Sequence, residues 1–253
     1  MLTLLSPAKT QRFDADPRTS RVTEPRFRDE AAELVAAMRT LSVEQLRDLM
    51  KTSDELARTT HEDYRCWGSG ARAMQATLVY SGEVYRAFDA ASLSARDLGW
   101  AQNHLRILSG LYGVLRPLDL IEPYRLEIAT RLGFAGVGSL YDYWRDKLTA
   151  AIGEAATSRR ARAIVNLASA EYSRAIARER LPVRLVSPVF RERGAKGLRT
   201  VSMYAKNARG RMARWIVENR IENPGALASF AENGYRHDAG LSRAGELVFV
   251  RDP

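Results

Sequence analysis

The segment QNHLRILSGLYGVLRPLDLIEPYRLE, from Gln102 to Glu127, is the most informative stretch of this 253-residue chain. It combines three arginines and two tyrosines with two glycines and two prolines. Pro117 and Pro123 cannot continue a helix, whereas Gly110 and Gly113 permit close backbone approach or a left-handed turn. These residues predict a fixed loop, rather than core or flexible linker, that presents cations and aromatic rings to an anion.

Outside this segment, short apolar runs typical of buried strands alternate with helical patterns. The alternation lacks the regular spacing of a doubly wound sheet. It predicts an α/β fold, with one compact mixed-sheet domain over residues 1–253 and helices around the sheet. The predicted strands are LTLLS at the start, ATLVY before Ser81, AIVNLA (163–168), VRLVSPVF (183–190), LRTVSMY (198–204) and ELVFVR near the end. The predicted helices begin at Asp29, Ser42, Thr52 and Ser94, and a long one covers 206–221.

The positive charge is concentrated in one region of the chain. The whole sequence has a net charge of +9, yet residues 156–220 contain 16 lysines and arginines against four acidic residues, a net charge of +12. The remainder is therefore negative, at −3. Such regional basicity favours an anion-binding face. The alternative is an arginine-rich surface that is only solvated.

Composition also argues against several classes of protein. No apolar stretch approaches the roughly 20 residues needed to span a bilayer, and the start of the chain does not resemble a secretory signal. We therefore expect a cytoplasmic protein without membrane contact. One cysteine (Cys66) and three dispersed histidines (His61, His104 and His237) predict no disulfide, no metal centre and no cofactor.

Six basic side chains are candidates for binding phosphate. Lys9 lies in SPAKT (Ser6–Thr10), directly after the first predicted strand, where loops commonly contact ligands. The three arginines of the central segment can each form bidentate contacts to phosphate. Lys206 and Arg209 share a helix face three residues apart. The candidates are Lys9, Arg106, Arg116, Arg125, Lys206 and Arg209.

The stretch from Leu46 to Ala57 is similar in its apolar positions to a helix-hairpin-helix that binds DNA phosphates. Lys51, Thr52 and Ser53 occupy the hairpin, where successive backbone N–H groups would form an anion site. Both hairpin glycines of the usual pattern are missing. The alternative is an ordinary turn between two packed helices.

Two acids and two tyrosines are candidates for chemistry. Glu127, and Glu171 in NLASAEY, could act as acid or base, and Tyr112 and Tyr124 could stack on a nucleobase. The alternatives are an internal network, in which the arginines pair with nearby carboxylates, and a helix-entry role for Glu171.

Taken together, these motifs resemble the YaaA family of bacterial proteins over nearly the whole chain. The resemblance implies an α/β fold with a basic cleft and a helix-hairpin-helix element at about 42–64. It also implies resistance to hydrogen peroxide, limitation of intracellular iron damage, DNA binding and recombinational repair. It places the six basic candidates in the cleft and the hairpin Lys51–Ser53 on DNA. The matching motifs, in chain order, are MLTLLSPAKT, YSGEVY, the central segment, NLASAEY, AKNARG and GELVF.

Two hypotheses follow. The first is a DNA-binding protein of the peroxide response that holds duplex or branched DNA with little sequence specificity. The second is an enzyme that acts on a nucleobase or nucleotide in the cleft. Direct iron binding or peroxide reduction is disfavoured, because the chain offers few histidines and a single thiol.

Overall fold

A central strand, β1 (Leu2–Leu5), is buried at all four of its residues. The computed structural model describes residues 1–252 except 18, 134, 135, 137 and 196. The strands are β1, β2 (Thr10–Gln11), β3 (Met74–Gln75), β4 (Tyr80–Ser81), β5 (Leu105–Ser109), β6 (Gly113–Leu115), β7 (Leu120–Ile121), β8 (Ile164–Asn166), β9 (Leu185–Gly194), β10 (Gly197–Arg199), β11 (Arg236–Arg243) and β12 (Glu246–Arg251). The α-helices are α1 (Arg28–Arg39), α2 (Val43–Met50), α3 (Asp54–Cys66), α4 (Ala76–Val79), α5 (Glu83–Phe88), α6 (Ala95–His104), α7 (Leu140–Ser158), α8 (Ala170–Ser173) and α9 (Ser202–Glu218). Short 3-10 turns cover Ala90–Ser92, Arg178–Arg180 and Pro224–Ser229.

Eight strands form one mixed sheet in the order β11-β12-β9-β8-β1-β5-β6, with β10 paired to β9. Five of them, β12, β9, β8, β1 and β5, run parallel to one another. Numbered along the chain, these five have the order 2-1-3-4-5, which is one of the common orders of doubly wound sheets. The mixed α/β architecture is confirmed. The spacing along the chain is irregular, as the sequence indicates, because a long excursion separates β1 from β5. It therefore conceals a doubly wound strand order.

Helices cover both faces of this sheet and divide the core into two layers. Leu2 and Leu4 of β1 pack with buried residues of α1 and α7. Leu5, one residue further, packs instead with buried residues of α6 and α9. This alternation follows from the two-residue period of a strand, and burial on both faces explains why β1 is apolar.

The central segment is core as well as loop, so its prediction was wrong in part. It contains β5, β6 and β7, and Leu108, Leu111 and Leu115 are fully buried. Gly113, the first residue of β6 after the tight turn from β5, has a φ of +65°, and the Trp144 ring lies where a Cβ would be. This position therefore needs glycine. Because Trp144 belongs to α7, that helix encloses a chain reversal that the sequence predicts as a loop.

Two further strand predictions fail for a tertiary reason. ATLV forms the single helical turn α4, and only Tyr80–Ser81 of that region is strand. The run 198–204 divides between β10, which ends at Arg199, and α9, which begins at Ser202. Apolar and β-branched residues favour burial as much as strand pairing, so such short runs do not distinguish the two.

Predictions from capping residues are confirmed. Ser42 and Gln45 form a reciprocal capping box at the start of α2. Ser94 and Ser169 cap α6 and α8, and α3 is capped by Ser53 rather than Thr52. In the ranges that the structure describes, no helix is both long and apolar enough to cross a bilayer.

Candidate functional site

A cavity of about 400 Å³ lies at the ends of β1 and β8. These strands are neighbours in the sheet, and the chain leaves them toward opposite sides: β1 leads to β5 on one side, whereas β8 leads to β9 on the other. Such a switch point leaves a crevice beyond the carboxyl ends of the strands, where open α/β sheets bind their ligands. Residues Ser6–Gln11 after β1, and Leu167 and Ser169 after β8, line it.

Two serines join the strand ends at the base of the cavity. The Ser6 hydroxyl donates to the Ser169 hydroxyl at 3.1 Å and accepts the Ser169 backbone N–H at 2.7 Å. The Tyr85 hydroxyl donates to the Ser6 carbonyl oxygen at 2.8 Å. The position of α5 is thereby fixed against the loop after β1.

One wall of the cavity is the segment 124–127. A Cβ on Gly110 would lie 2.2 Å from the Leu126 carbonyl oxygen, so this wall contacts the β5–β6 turn at a distance only glycine allows. The Tyr64 hydroxyl donates to the Arg125 carbonyl at 2.6 Å. Backbone contacts on both sides therefore hold the wall rigid.

Glu127 lies between two cations on that wall. Lys9 Nζ is 3.0 Å from Oε2 and Arg125 Nη2 is 3.4 Å from Oε1. The side chains of Lys9, Arg125 and Glu127 are 68%, 19% and 28% exposed, so only Lys9 reaches well into solvent. Arg125 Nε is buried without a hydrogen-bond partner.

The opposite side of the cavity is formed by α5 and α9. A Cβ on Gly210 would lie 2.0 Å from the Val84 carbonyl oxygen, so the two helices pack backbone to backbone. Lys206 and Arg209, within about one turn of that contact, line the cavity. The glycine thus sets how closely the two cations approach the strand ends.

Arg209 is half-buried and has no carboxylate partner among the described residues. Burial lowers the pKa of its guanidinium below the ordinary value. A desolvated cation of this kind is costly until an anion compensates it. The empty volume beside Arg209 is therefore suited to a negatively charged group.

The lining as a whole carries mixed charge. Glu83 pairs with Arg86 outside the cavity, and Glu127 pairs with Lys9 and Arg125. The basic cleft that the resemblance implies stays a prediction. The described lining contains four cations and three carboxylates: Lys9, Arg125, Lys206 and Arg209 against Glu83, Glu127 and Glu171.

Arg106 and Arg116 do not lie in this cavity, so the expectation that all six basic candidates share one cleft was wrong. Both line a separate pocket beside α7. Arg116 pairs with the buried Asp119 at 3.0 Å, and Arg106 donates to the Gln102 and Leu105 carbonyl oxygens. Arg106 belongs to β5 and Arg125 to the wall after β7, and residue spacing alone does not show which pocket each one reaches.

The two candidate tyrosines are buried, and Tyr112 lies outside the cavity lining, where a base bound in the cavity cannot stack on it. The Tyr112 hydroxyl accepts the indole N–H of Trp67 at 2.8 Å. Tyr124 borders the cavity, yet its hydroxyl bonds with those of Tyr80 and Ser109, each at 2.7 Å. Burial raises the pKa of Tyr124 to about 12, so it stays protonated at neutral pH.

The hairpin residues 51–53 lie outside the cavity lining. Lys51 is exposed in a left-handed conformation with φ of 49°, and the Thr52 N–H donates to the Arg47 carbonyl oxygen at 3.2 Å. Ser53 accepts the Leu56 N–H as a helix cap at 3.3 Å. The structure thus has two helices joined by a short turn at this place, and its binding of DNA stays a prediction.

Among the lining residues that were not sequence candidates are four with hydroxyl groups: Ser6, Tyr85, Ser169 and Tyr172. Ser6 and Ser169 could have been found, since each follows the end of a buried strand. Tyr85 and Tyr172 carry no such signal. No group of three or more His, Cys, Asp or Glu side chains that could hold a metal occurs in the described ranges.

Comparison with known proteins shows which family this chain matches. A family model described as peroxide stress protein YaaA matches residues 1–241. UPF0246 proteins of Burkholderia vietnamiensis and Burkholderia mallei are each 44% identical to this chain, and one of Burkholderia multivorans is 43% identical. Each alignment covers 99% of this chain and 98% of the relative.

Proposed function

Because the chain belongs to the YaaA family of peroxide stress proteins, we propose that it binds DNA during the response to peroxide, with a backbone phosphate held in the cavity between β1 and β8. The role in oxidative stress comes from the family. DNA as the partner is our proposal.

The unpaired Arg209 carries this proposal. Its guanidinium is desolvated beside an open volume. Among the described lining residues, each carboxylate that forms an ion pair does so with a cation other than Arg209. A phosphate oxygen accepting from Arg209 would form a charge-assisted hydrogen bond and offset the cost of burial. Lys206, on the same helix face, would supply a second charge to the same group.

The shape of the site supports a phosphate as the bound group. Ser6 and Ser169 place hydroxyls at the strand ends, in the same cavity as Arg209 and Lys206. Ser6 donates to Ser169, whereas the Ser169 hydroxyl hydrogen has no acceptor among the described residues and can donate to an anion at this switch point. The net charge of +12 over residues 156–220, which include α9, supports a long anionic partner rather than a single small anion.

Binding should depend on phosphates and only weakly on sequence. We expect affinity to fall steeply as salt is raised, because each neutralised phosphate releases counterions. Anisotropy titrations with duplex and branched DNA at two salt concentrations would measure this. An affinity that is absent at low salt, or that does not change with salt, would contradict the proposal.

The variant Arg209→Gln tests the cavity itself. Loss of one charge-assisted contact should weaken DNA binding about tenfold. Arg211→Gln is the matched control, since Arg211 lies on the same helix but is exposed and outside the cavity lining. If both variants bind DNA like the unaltered protein, phosphate does not occupy this cavity.

A second candidate function is an enzyme acting on a nucleobase or nucleotide. It is favoured by Glu127, a carboxylate oriented by Lys9 and Arg125 on the wall of a cavity whose volume suits a small ligand. Glu127 would serve as the base, and Glu171, exposed at the rim, would assist. If Glu127→Gln and Glu171→Gln both protect cells from peroxide as well as the unaltered protein, this candidate fails.

The resemblance also implies that the protein limits iron damage inside the cell. We place that effect after DNA binding, as protection of the molecule that iron and peroxide together damage. Cells carrying Arg209→Gln should then lose peroxide resistance together with DNA binding. If Arg209→Gln loses DNA binding but keeps peroxide resistance, the protein limits iron damage by a route that does not depend on DNA binding.

A further inference from the structure

A second pocket, of about 560 Å³, lies between β6, the turn that follows it and α7. It shares no lining residue with the cavity at β1 and β8 in the part of the chain that the structure describes. Three arginines reach it from three parts of the chain: Arg26, Arg106 and Arg116. Two carboxylates, Asp119 and Glu154, also line it.

Arg106 is the cation that this pocket leaves uncompensated. Its Nη1 donates to the Gln102 carbonyl oxygen at 3.1 Å and to the Leu105 carbonyl oxygen at 2.8 Å, where α6 ends. Within the described ranges, no carboxylate lies at ion-pair distance from it, and Nε and Nη2 have no hydrogen-bond partner. Neither nitrogen is one of the fully buried side-chain atoms that lack a partner, so both remain accessible and can donate into the pocket.

The two carboxylates are already bound by other arginines. Asp119 Oδ1 is 3.0 Å from Arg116, and Glu154 Oε2 is 2.7 Å from Arg26. Burial, followed by repulsion from Arg116, lowers the pKa of Arg106 to about 10, and the charges of Arg159 and Arg26 act in the same direction. Arg106 nevertheless remains a cation at neutral pH, in surroundings that are already positive.

We propose that this pocket binds a phosphate monoester dianion. Arg106 donates from Nε and Nη2, and Arg26 and Arg116 contribute charge at the rim. Guanidinium groups match the several oxygens of a phosphate better than a single carboxylate would, because each can donate two parallel hydrogen bonds. The dianion would relieve the repulsion among the arginines. This site is independent of the proposed phosphate in the cavity beside Arg209.

Calorimetric titration with inorganic phosphate tests the proposal in the whole protein. Because the cavity at β1 and β8 could also take phosphate, Arg209→Gln serves as the background. In that background phosphate should still bind, and adding Arg106→Gln should weaken the remaining site at least about tenfold. Loss of all phosphate binding in Arg209→Gln alone, or an unchanged affinity after Arg106→Gln, would overturn it.

Arg106 also supports the end of α6, so a second variant guards against misfolding. Arg26→Gln removes an exposed arginine at the rim and should weaken phosphate about threefold in the same background. Arg28→Gln is its control, because Arg28 pairs with Glu24 and does not line the pocket. Equal effects of the two variants would refute a site at this place.

The source of the phosphate can be distinguished in the same assay. Short duplexes that carry a 5′-phosphate or a 5′-hydroxyl end are compared with inorganic phosphate. If Arg106→Gln weakens inorganic phosphate and the duplex with a 5′-phosphate but not the duplex with a 5′-hydroxyl, the pocket receives DNA ends. If it weakens inorganic phosphate and leaves both duplexes unchanged, the ligand is a small monoester. If no form of phosphate responds to Arg106→Gln, there is no such site.

Discussion

At the scale of single residues, Gly110 determines how the cavity wall is built. Its backbone lies so close to Leu126 and Glu127 that a side chain has no room. The same residue belongs to the turn between β5 and β6, next to fully buried Leu108 and Leu111. Position 110 therefore joins the core to the site through backbone contact alone.

We expect Gly110→Ala to lower the free energy of unfolding by about 1–3 kcal/mol, because the new Cβ must displace the Leu126 carbonyl. Gly99→Ala is the matched control. Gly99 lies within α6, where no atom of the described residues would crowd an added methyl group, and alanine should raise stability there by about 0.5–1 kcal/mol. Urea unfolding of both variants measures the difference, and equal midpoints would contradict the role of position 110.

Single residues were predictable where their chemistry is local. Lys206 and Arg209 follow from helical spacing, and both line the cavity. Arg106 and Arg116 have the same composition cues as Arg125 but reach a different pocket. Which pocket an arginine reaches depends on strand order, and strand order is a long-range property that residue spacing does not contain.

At the scale of elements, the contact between α5 and α9 positions the two cations of the site. Gly210 of α9 faces the Val84 carbonyl of α5. A shift of α9 would carry Lys206 and Arg209 away from Ser6 and Ser169 at the strand ends. Helix packing therefore controls the geometry of the proposed anion site.

Gly210→Ala should destabilise the protein by about 1–3 kcal/mol and also weaken DNA binding, since α9 has to move outward. Gly153→Ala in α7 is a suitable comparison. Its new Cβ would meet the Pro182 side chain at 3.4 Å, an ordinary contact. We expect a gain in stability of about 0.5–1 kcal/mol, as at Gly99, and no change in affinity. If Gly210→Ala is destabilised but binds DNA with normal affinity, the packing of α5 against α9 does not control the site.

The turn between α2 and α3 gives a third prediction, in which stability and binding change in opposite directions. Lys51 has a left-handed conformation, so Lys51→Gly should stabilise the fold by about 0.5–1 kcal/mol. If the turn contacts DNA phosphate, removal of its charge should also reduce the salt dependence of binding by about one phosphate.

Lys51→Arg, which keeps the charge and the left-handed backbone, should leave both quantities unchanged. Thermal or urea unfolding reports the stability, and titrations at several salt concentrations report the slope. A Lys51→Gly variant that is more stable but has the same salt slope would show that this turn does not touch DNA.

Elements were predictable where their ends carry signals. Ser42 and Ser94 each cap a helix as expected, because a cap satisfies free N–H groups within one turn. The single turn α4 and the start of α9 were missed. In both places burial against the sheet determines the structure, and burial is not visible in a run of five residues.

At the scale of the whole molecule, a cluster of buried tyrosines lies around and behind the cavity. Burial raises the pKa of each phenol above its ordinary value, to about 12 for Tyr124. Hydroxyls within the cluster bond to one another or to backbone, as in the contact between Tyr80 and Tyr124. The members are Tyr64, Tyr80, Tyr85, Tyr112, Tyr124 and Tyr172.

This cluster predicts alkaline unfolding. Above about pH 10 the unfolded chain releases phenolic protons that the folded protein keeps, so the unfolded state binds fewer protons and stability falls as pH rises. The contribution is complete below about pH 10 and is lost toward the raised folded values. Tyrosinate absorbance followed together with circular dichroism should show these tyrosines ionising only as the fold is lost. Ionisation of these six tyrosines near pH 10 in a protein that is still folded would contradict the prediction.

The wall at 124–127 restricts how this protein can diverge. Its backbone is shared with the core through Gly110 and with α3 through Tyr64, so substitutions there alter folding before they alter ligand preference. The rim residues Lys9, Glu171 and Lys206 are exposed, so we expect their substitution to have little effect on folding. Descendants of this chain could therefore acquire new specificities through rim side chains alone, while the scaffold beneath them stays unchanged.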